Sequence, residues 1–100
     1  MAYKIKVLPL ANLELDEIDQ YLTENYPSKA KRFFKVFKEQ RKRMKKHPYM
    51  FQSYEDFPPY RAALVLDYIA FYVVNEDAKI VEIHRILWGG VDLANQLNEE

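Results

Sequence analysis

The side chains that could do chemistry are few, and three of them fall in apolar runs in the second half of the chain. Arg61 lies in the first of these runs, and His84 and Arg85 are adjacent in the last. An arginine on a strand forms an ion pair across the sheet or contacts a phosphate. The sequence therefore predicts that Arg61 pairs with Glu82 or Asp67, or else contacts a phosphate or a target molecule. A histidine titrates near neutral pH, which suits it to proton transfer.

The adjacency of His84 and Arg85 limits what the two side chains can do together. Successive side chains of a strand point to opposite faces, so this pair can act on one atom only where a β-bulge interrupts the alternation. A regular strand therefore favours a structural role for the histidine. The ionisable side chains that could accompany Arg61, His84 and Arg85 are Lys46, His47 and Glu55.

The composition excludes several kinds of site and compartment. The 100 residues contain no cysteine and two histidines, which excludes a disulfide framework and a thiol nucleophile and falls short of a zinc site. We expect no metal and no cofactor. No apolar run reaches the roughly 20 residues of a membrane helix, and the N-terminus lacks a signal-peptide cleavage region. The sequence predicts one domain over residues 1–100, in the reducing cytoplasm and away from membranes.

Four strands are predicted from apolar alternation and from aromatic and β-branched composition. They are Tyr3–Leu8, Tyr60–Leu66, Tyr68–Val74 and Lys79–Trp88. In the last strand, regular alternation places Arg85 with Val81, Ile83 and Leu87 on one face. It places His84 with Ile80, Glu82, Ile86 and Trp88 on the other face.

Two helices are predicted between the first and second strands. The first begins near Leu10 to Asn12, with Asn12 as N-cap, and buries Ala11, Leu15, Ile18 and Leu22. The second begins after Ser28 as N-cap, ends at His47-Pro48, and has an apolar side made of Ala30, Phe33, Phe34, Phe37 and Met44. A short terminal helix is expected around Leu93, Ala94 and Leu97. The result is an α+β fold in which an antiparallel helical hairpin covers one face of a mainly antiparallel four-strand sheet.

The other face of the sheet is expected to be partly open, because the strands carry apolar side chains on both faces. A protein partner or self-association as a homodimer would cover it. Charge is also uneven, although the net charge is zero. The first helix is acidic, and residues 28–48 carry ten Lys or Arg against Glu39 alone. We expect some attraction between the two helices and a solvated basic face, with contact to rRNA or DNA as the alternative.

In this order and spacing, the segments resemble the RelE/ParE superfamily of toxins from bacterial type II toxin–antitoxin modules. The matching pieces are the "A..L.EI..YL" helix from Ala11 to Leu22, the "YR" of Tyr60-Arg61, the "YIAFYVV" of Tyr68 to Val74, and the "V.IHRILWGGVD" of Val81 to Asp92. The resemblance covers nearly the whole chain, and the ending is similar to that of ParE-type members. It implies a RelE-like fold and a cognate antitoxin that binds the sheet and helices.

The resemblance leaves three functions open. A ParE-like toxin would inhibit growth by binding a cellular target, commonly DNA gyrase. A RelE-like toxin would cleave mRNA on the ribosome, and here Arg61, His84 and Arg85 would be the catalytic residues. An inactive remnant would bind its antitoxin alone. Most of the catalytic side chains of the nuclease members are missing. Ile69 stands where nuclease members carry a basic residue, and Leu87 to Val91 stand where they carry Arg, His or Tyr.

The ending of the chain is the segment that the ParE-like interpretation singles out. It implies that Trp88, Gly89, Gly90 and Asp92 bind the target. The alternative for the two glycines is a hinge or a tight turn without further function.

Overall fold

The computed structural model describes residues 3–54 and 60–90. Their elements are β1 (Lys4–Val7), α1 (Pro9–Asn25), α2 (Pro27–Lys46), β2 (Arg61–Val65), β3 (Tyr68–Asn75) and β4 (Ile80–Trp88). The predicted α+β class is confirmed, and each predicted strand is present, shortened or extended at its ends. The terminal helix expected around Leu93, Ala94 and Leu97 lies outside the described residues.

The four strands form one sheet in the order β1-β4-β3-β2. Two pairings, β2 with β3 and β3 with β4, are antiparallel. The first strand runs parallel to the last, with Lys4 opposite Ile80 and Val7 opposite Ile83. The sheet is therefore mixed. Parallel neighbours need a long connection, and the two helices with β2 and β3 supply it.

Both helices begin earlier than predicted, because the residue before α1 lies four positions ahead of Asn12 and the residue before α2 lies two positions ahead of Ser28. Pro9 and Pro27 occupy the first positions of α1 and α2, after Leu8 and Tyr26. Asn12 and Ser28 are therefore not N-caps, and those two predictions were wrong. Proline is favoured at the first helical position because its φ is already helical and its missing N–H would have no intrahelical partner. Asn12 instead donates through Nδ2 to the carbonyl of Val7 at 3.3 Å.

The main core lies between the helices and one face of the sheet. Most of the predicted helical stripes are buried, and Leu15 and Phe34 are half-buried. The largest side chains at the centre are Leu22, Phe33, Met44, Tyr72 and Ile83. The phenol of Tyr72 donates to the carbonyl of Pro48 at 2.6 Å, which ties the segment after α2 to the sheet.

The second face of the sheet is covered at its centre by the chain itself. Phe71 is 0% exposed, and the rings of Tyr54 and Tyr60 meet it edge-on at 5.4 and 6.4 Å between centroids. The segment before β2 also pairs with it, because Ala62 N–H donates to the carbonyl of Gln52 at 3.1 Å. The expectation that this face is open was wrong for its centre, because the aromatic side chains of Tyr54 and Tyr60 cover it.

The expected attraction between an acidic and a basic helix does not take the form of ion pairs between α1 and α2 in the described residues. The acid of α1 that pairs is Glu14, with Arg85 of β4, and the base of α2 that pairs is Lys29, with Asp67. Neither helix combines the length and the apolar character that a membrane-spanning segment requires.

Candidate functional site

A β-bulge in β4 reorganises the segment that carries two of the predicted catalytic residues. Ile83 lies opposite Tyr72 and Arg85 lies opposite Phe71, so that His84 has no counterpart on β3. One extra residue reverses the alternation beyond it. The predicted faces of β4 are therefore wrong from the bulge onward.

The packing of β4 shows the new faces. Ile86 joins Val81 and Ile83 in the core beneath the helices, whereas Leu87 packs with Phe71 on the second face. Because directly opposed residues of paired strands share a face, Arg85 also lies on the second face. The bulge thus places Arg85 beside His84, an arrangement that a regular strand would not allow.

Arg85 is held by a carboxylate from α1. Its guanidinium donates through Nε and Nη2 to Oε2 of Glu14, at 3.0 and 2.8 Å. The other oxygen of the same carboxylate accepts the N–H of Ile86 at 2.9 Å. Arg85 is 6% exposed, and a buried charge of this kind is stable only when it is paired. The pair therefore holds α1 against β4 beyond the end of β1.

His84 lies between two side chains on the second face. Its ring meets Tyr60 edge-on at 5.4 Å, with Nδ1 3.5 Å from the phenol oxygen. Its Nε2 lies 3.9 Å from Oε1 of Glu82 and, among the described residues, has no hydrogen-bond partner. Both distances exceed those of a good hydrogen bond. The imidazole is thus positioned mainly by packing.

Arg61 lies on the opposite face, directly across from Tyr72. Its Nη1 donates to the carbonyls of Phe51 and Tyr49 at 2.8 and 3.3 Å, and its guanidinium lies 5.0 Å from the centre of the Tyr49 ring. The predicted ion pair with Glu82 or Asp67 was wrong, because carbonyls of the segment after α2 accept the hydrogen bonds of the guanidinium. The sheet separates Arg61 from His84 and Arg85.

The side chains of Lys46 and His47, expected to accompany the predicted catalytic residues, do not cluster with them. Lys46 ends α2, and His47 follows it with its backbone N–H bonded to the carbonyl of Arg43 at 2.8 Å. Both side chains are exposed, and Glu55 lies outside the described residues. No cluster of carboxylate or histidine side chains suited to a metal occurs in residues 3–54 and 60–90.

Trp88 forms part of a separate cleft at the end of β4, of about 390 Å³. The indole is 55% exposed. The residues that line the cleft with it are Tyr21, Leu22, Tyr26, Lys29, Asp67 and Tyr68. Tyr21 and Tyr26 are also exposed and meet edge-on at 6.1 Å, while Lys29 and Asp67 form an ion pair. Sequence reasoning missed the two tyrosines, although an aromatic pair beside Pro27 at a helix junction was a visible signal.

The two glycines after Trp88 differ in what they contribute. Gly89 N–H donates to the carbonyl of Asp67 at 2.9 Å, which ties the end of β4 to the β2–β3 turn. A Cβ on Gly90 would lie 2.4 Å from the indole ring of Trp88. The indole therefore packs where a side chain at position 90 would be. Asp92, the fourth predicted target-binding residue, lies outside the described residues.

Comparison with known proteins identifies the family. A family model described as the ParE toxin of the type II toxin–antitoxin system, parDE, matches residues 5–92. The chain belongs to the ParE toxin family. The predicted membership of the RelE/ParE superfamily is thereby confirmed, and this ParE-family chain is the toxin type of a type II module.

A solved structure shows the same fold. It is described as the chromosomal ParDE toxin–antitoxin system from P. aeruginosa, and its chain superposes with a TM-score of 0.71 at 21% identity. The match covers 86% of this ParE-family chain and 95% of the other. No curated protein sequence matches the chain significantly.

Proposed function

We propose that this ParE-family toxin is neutralised by a cognate antitoxin and inhibits growth in the cytoplasm by binding a cellular protein such as DNA gyrase. The observation that carries the proposal is that both strand arginines, Arg61 and Arg85, are hydrogen-bonded to groups within the fold. The guanidinium of Arg85 is committed to Glu14, and that of Arg61 to backbone carbonyls on the other side of the sheet. A cation that holds the fold in this way is not placed to stabilise a phosphate during RNA cleavage, which needs charge aimed at the reacting group.

The cleft around Trp88 is the proposed target-binding surface. Exposed tryptophan and tyrosine are enriched where protein partners bind, because each buries a large area and keeps a polar handle. Here Trp88, Tyr21 and Tyr26 are each about half exposed around one cleft. Gly89 and Gly90 support that surface, one by anchoring the end of β4 and the other by leaving room for the indole.

The test compares growth arrest and inhibition of gyrase supercoiling by the wild type and by Trp88→Ala. The matched control is Leu64→Ala, which removes an apolar side chain of 66% exposure from β2. We expect at least a tenfold loss of inhibition for Trp88→Ala, corresponding to about 1.4 kcal/mol, and little change for the control. Equal potency of the folded variants would overturn the cleft assignment.

A second variant tests the same surface without removing the indole. Gly90→Ala forces the ring of Trp88 out of its position, because the new Cβ would meet the ring at 2.4 Å. Gly89→Ala is the comparison, since its Cβ would lie 3.3 Å from the carbonyl of Asp67. Loss of inhibition is expected to be larger for the change at position 90.

The nuclease and remnant alternatives are separated by two measurements. Primer extension on an mRNA translated by purified ribosomes would reveal new ends inside the coding region if the chain were a ribosome-dependent nuclease. We expect none from a sample that arrests growth. Ends that appear only with ribosomes would overturn the proposal, and a folded protein that does not arrest growth would identify a remnant.

A further inference from the structure

The cleft around Trp88 contains one described carboxylate, that of Asp67, and the backbone fixes where it lies. The carbonyl of Asp67 accepts the N–H of Gly89 at 2.9 Å, and the next residue, Tyr68, lies opposite Trp88 in the sheet. Leu66, the other residue of this turn, has a φ of 55°, a left-handed conformation that is uncommon for leucine. The carboxylate and the indole are thus brought to one cleft before any partner binds, and a preorganised site loses less entropy on binding.

The carboxylate of Asp67 already binds one cation. The ammonium of Lys29 donates to its Oδ2, and no described residue donates to its Oδ1. This hydrogen bond raises the pKa of Lys29 above its ordinary value of 10.5. The side chain of Asp67 is 56% exposed. The cleft therefore holds a positive charge, and one carboxylate oxygen remains accessible to a second donor.

The aromatic rings of the cleft carry no cation of the described chain. Three other rings of the protein have a lysine or arginine over them, but no such contact involves Tyr21, Tyr26 or Trp88. The faces of tryptophan and tyrosine rings attract cations, most strongly when the cation is shielded from water. Exposed rings around a carboxylate are thus suited to a positively charged side chain.

The charges around the cleft favour a cation over an anion. Glu17 and Glu24 lie four positions before and three positions after Tyr21, which places them on the same face of α1, and both are exposed. Residues 12–26 contain five acids and no base. Of the described residues that line the cleft, Lys29 is the only base, and its ammonium is paired with Asp67. An anionic group would therefore meet acids and occupied donors.

We propose that this cleft binds an arginine side chain of the target protein. The guanidinium stacks against the rings of Trp88 and the two tyrosines and donates to Oδ1 of Asp67. Arginine fits better than lysine, because its planar guanidinium stacks on a ring and donates at its edge at the same time. The cleft, of about 390 Å³, has room for one large side chain. The inference rests on the proposed function in that the target protein would supply the arginine.

The first test uses the fluorescence of Trp88, which is the only tryptophan of the chain. The probes are the acetylated and amidated tripeptides Gly-Arg-Gly and Gly-citrulline-Gly, which have nearly the same shape but differ by one charge. We expect the arginine peptide to reach half-saturation at a concentration about fivefold lower than the citrulline peptide. Amide shifts should be largest at Tyr21, Tyr26 and Asp67. Equal binding of the two peptides, or shifts confined to other parts of the chain, would overturn the proposal.

Asp67→Asn tests the carboxylate. Its matched control is Asp77→Asn, which changes an exposed acid in the turn between β3 and β4. Affinity for the arginine peptide should fall about fivefold in the first variant and stay unchanged in the second. An equal fall in both variants would show that net charge alone attracts the peptide and would overturn the site.

Lys29→Met tests the competition for Asp67. Methionine keeps an apolar stem but removes the ammonium that pairs with the carboxylate. If a partner's guanidinium binds the same carboxylate, removal of Lys29 should tighten the arginine peptide by about twofold or more. A structural role of the Lys29–Asp67 pair alone would not produce this gain. Unchanged or weaker binding would overturn the assignment of Asp67 as the acceptor.

A third tripeptide, Gly-Glu-Gly with the same end groups, tests the opposite charge. Tighter binding of this peptide than of the arginine peptide, lost in Lys29→Met, would overturn the proposal in favour of an acidic group of the partner.

Inhibition of gyrase supercoiling separates this inference from the proposed function. A protein that inhibits gyrase but responds equally to the arginine and citrulline peptides overturns the inference alone. A protein that prefers the arginine peptide but whose Trp88→Ala variant inhibits as well as the wild type overturns the target-binding role of the cleft alone.

Discussion

At the bulged end of β4 a positive side chain is buried and paired, whereas in the groove beside β1 the lysine side chains are exposed. At the bulge, Arg85 is buried and donates to Glu14 through Nε and Nη2. The groove lies between β1 and α2, and the bases that line it are Lys38, Arg41, Lys42 and Lys45. In the groove, Lys38 and Lys42 are exposed and form no ion pair with the described residues. Burial of a charge requires a partner within the fold, whereas an exposed charge keeps its water. The difference separates the cations that the fold uses from those that remain available to another molecule.

The largest expected effect comes from breaking the buried pair. Glu14→Gln keeps the shape of the side chain but removes the charge, so Arg85 would stay buried without its counterion. We expect a loss of about 3–5 kcal/mol in the free energy of unfolding, measured by urea denaturation. Glu17→Gln, on the exposed side of the same helix, is the control and should change little. A loss below about 1 kcal/mol for Glu14→Gln would show that the bulge does not depend on this pair.

A smaller effect is expected at Tyr72, whose phenol ties Pro48 to the sheet. Tyr72→Phe leaves the carbonyl of Pro48 without that donor, and we expect a loss of about 1–2 kcal/mol in urea unfolding. Burial also raises the pKa of Tyr72 from 10.0 to about 12. The contribution of the neutral phenol is therefore full below pH 10.0 and is lost as the pH rises toward about 12. The phenylalanine variant should lack this part of the alkaline decline, and an identical decline in both proteins would contradict the assignment.

The exposed contact at the start of β1 is expected to matter less. Tyr3 donates its phenol proton to Glu76 at 2.7 Å, and this hydrogen bond, with the nearby Lys79, lowers the pKa of the Glu76 carboxyl below its ordinary value of 4.5. A lowered carboxyl pKa contributes stability above the unfolded value and loses it as the pH falls. Glu76→Gln should therefore reduce the decline in stability on acidification below pH 4.5. Asp77→Asn in the same turn is the control, and equal behaviour of the two variants would count against the contact.

The smallest effect on stability is expected in the groove. Lys38→Glu with Lys42→Glu removes charges that have no ion-pair partner in the described chain, so the free energy of unfolding should change by no more than about 0.5 kcal/mol per substitution. The free energy of unfolding of this double variant is measured by urea denaturation under the same conditions as that of Glu14→Gln, so that the two losses can be compared directly. A loss as large as that of Glu14→Gln would show that the groove bases serve the fold and would remove the contrast between the two regions.

Much of the fold could be predicted because it depends on local patterns. Apolar alternation located the four strands, the stripe through Ile18 and Leu22 located the buried side of α1, and Tyr26-Pro27 and His47-Pro48 marked the helix ends. The caps at Asn12 and Ser28 were wrong because Pro9 and Pro27 compete for the helix start and have the stronger preference for it. The candidate site was less predictable, since the partner of Arg61 is a pair of backbone carbonyls rather than a carboxylate.

The amino-acid sequence by itself determined the order of the elements, the two amphipathic helices and the uneven distribution of charge, since each follows from residues close together along the chain. Tertiary structure alone decided the bulge at His84, the pairing of Arg85 with Glu14, and the cover that Tyr54 and Tyr60 place over Phe71. These features join segments far apart in sequence. Burial and strand register decide which of several acids, carbonyls or rings becomes the partner. Neither burial nor register can be predicted from the local sequence pattern.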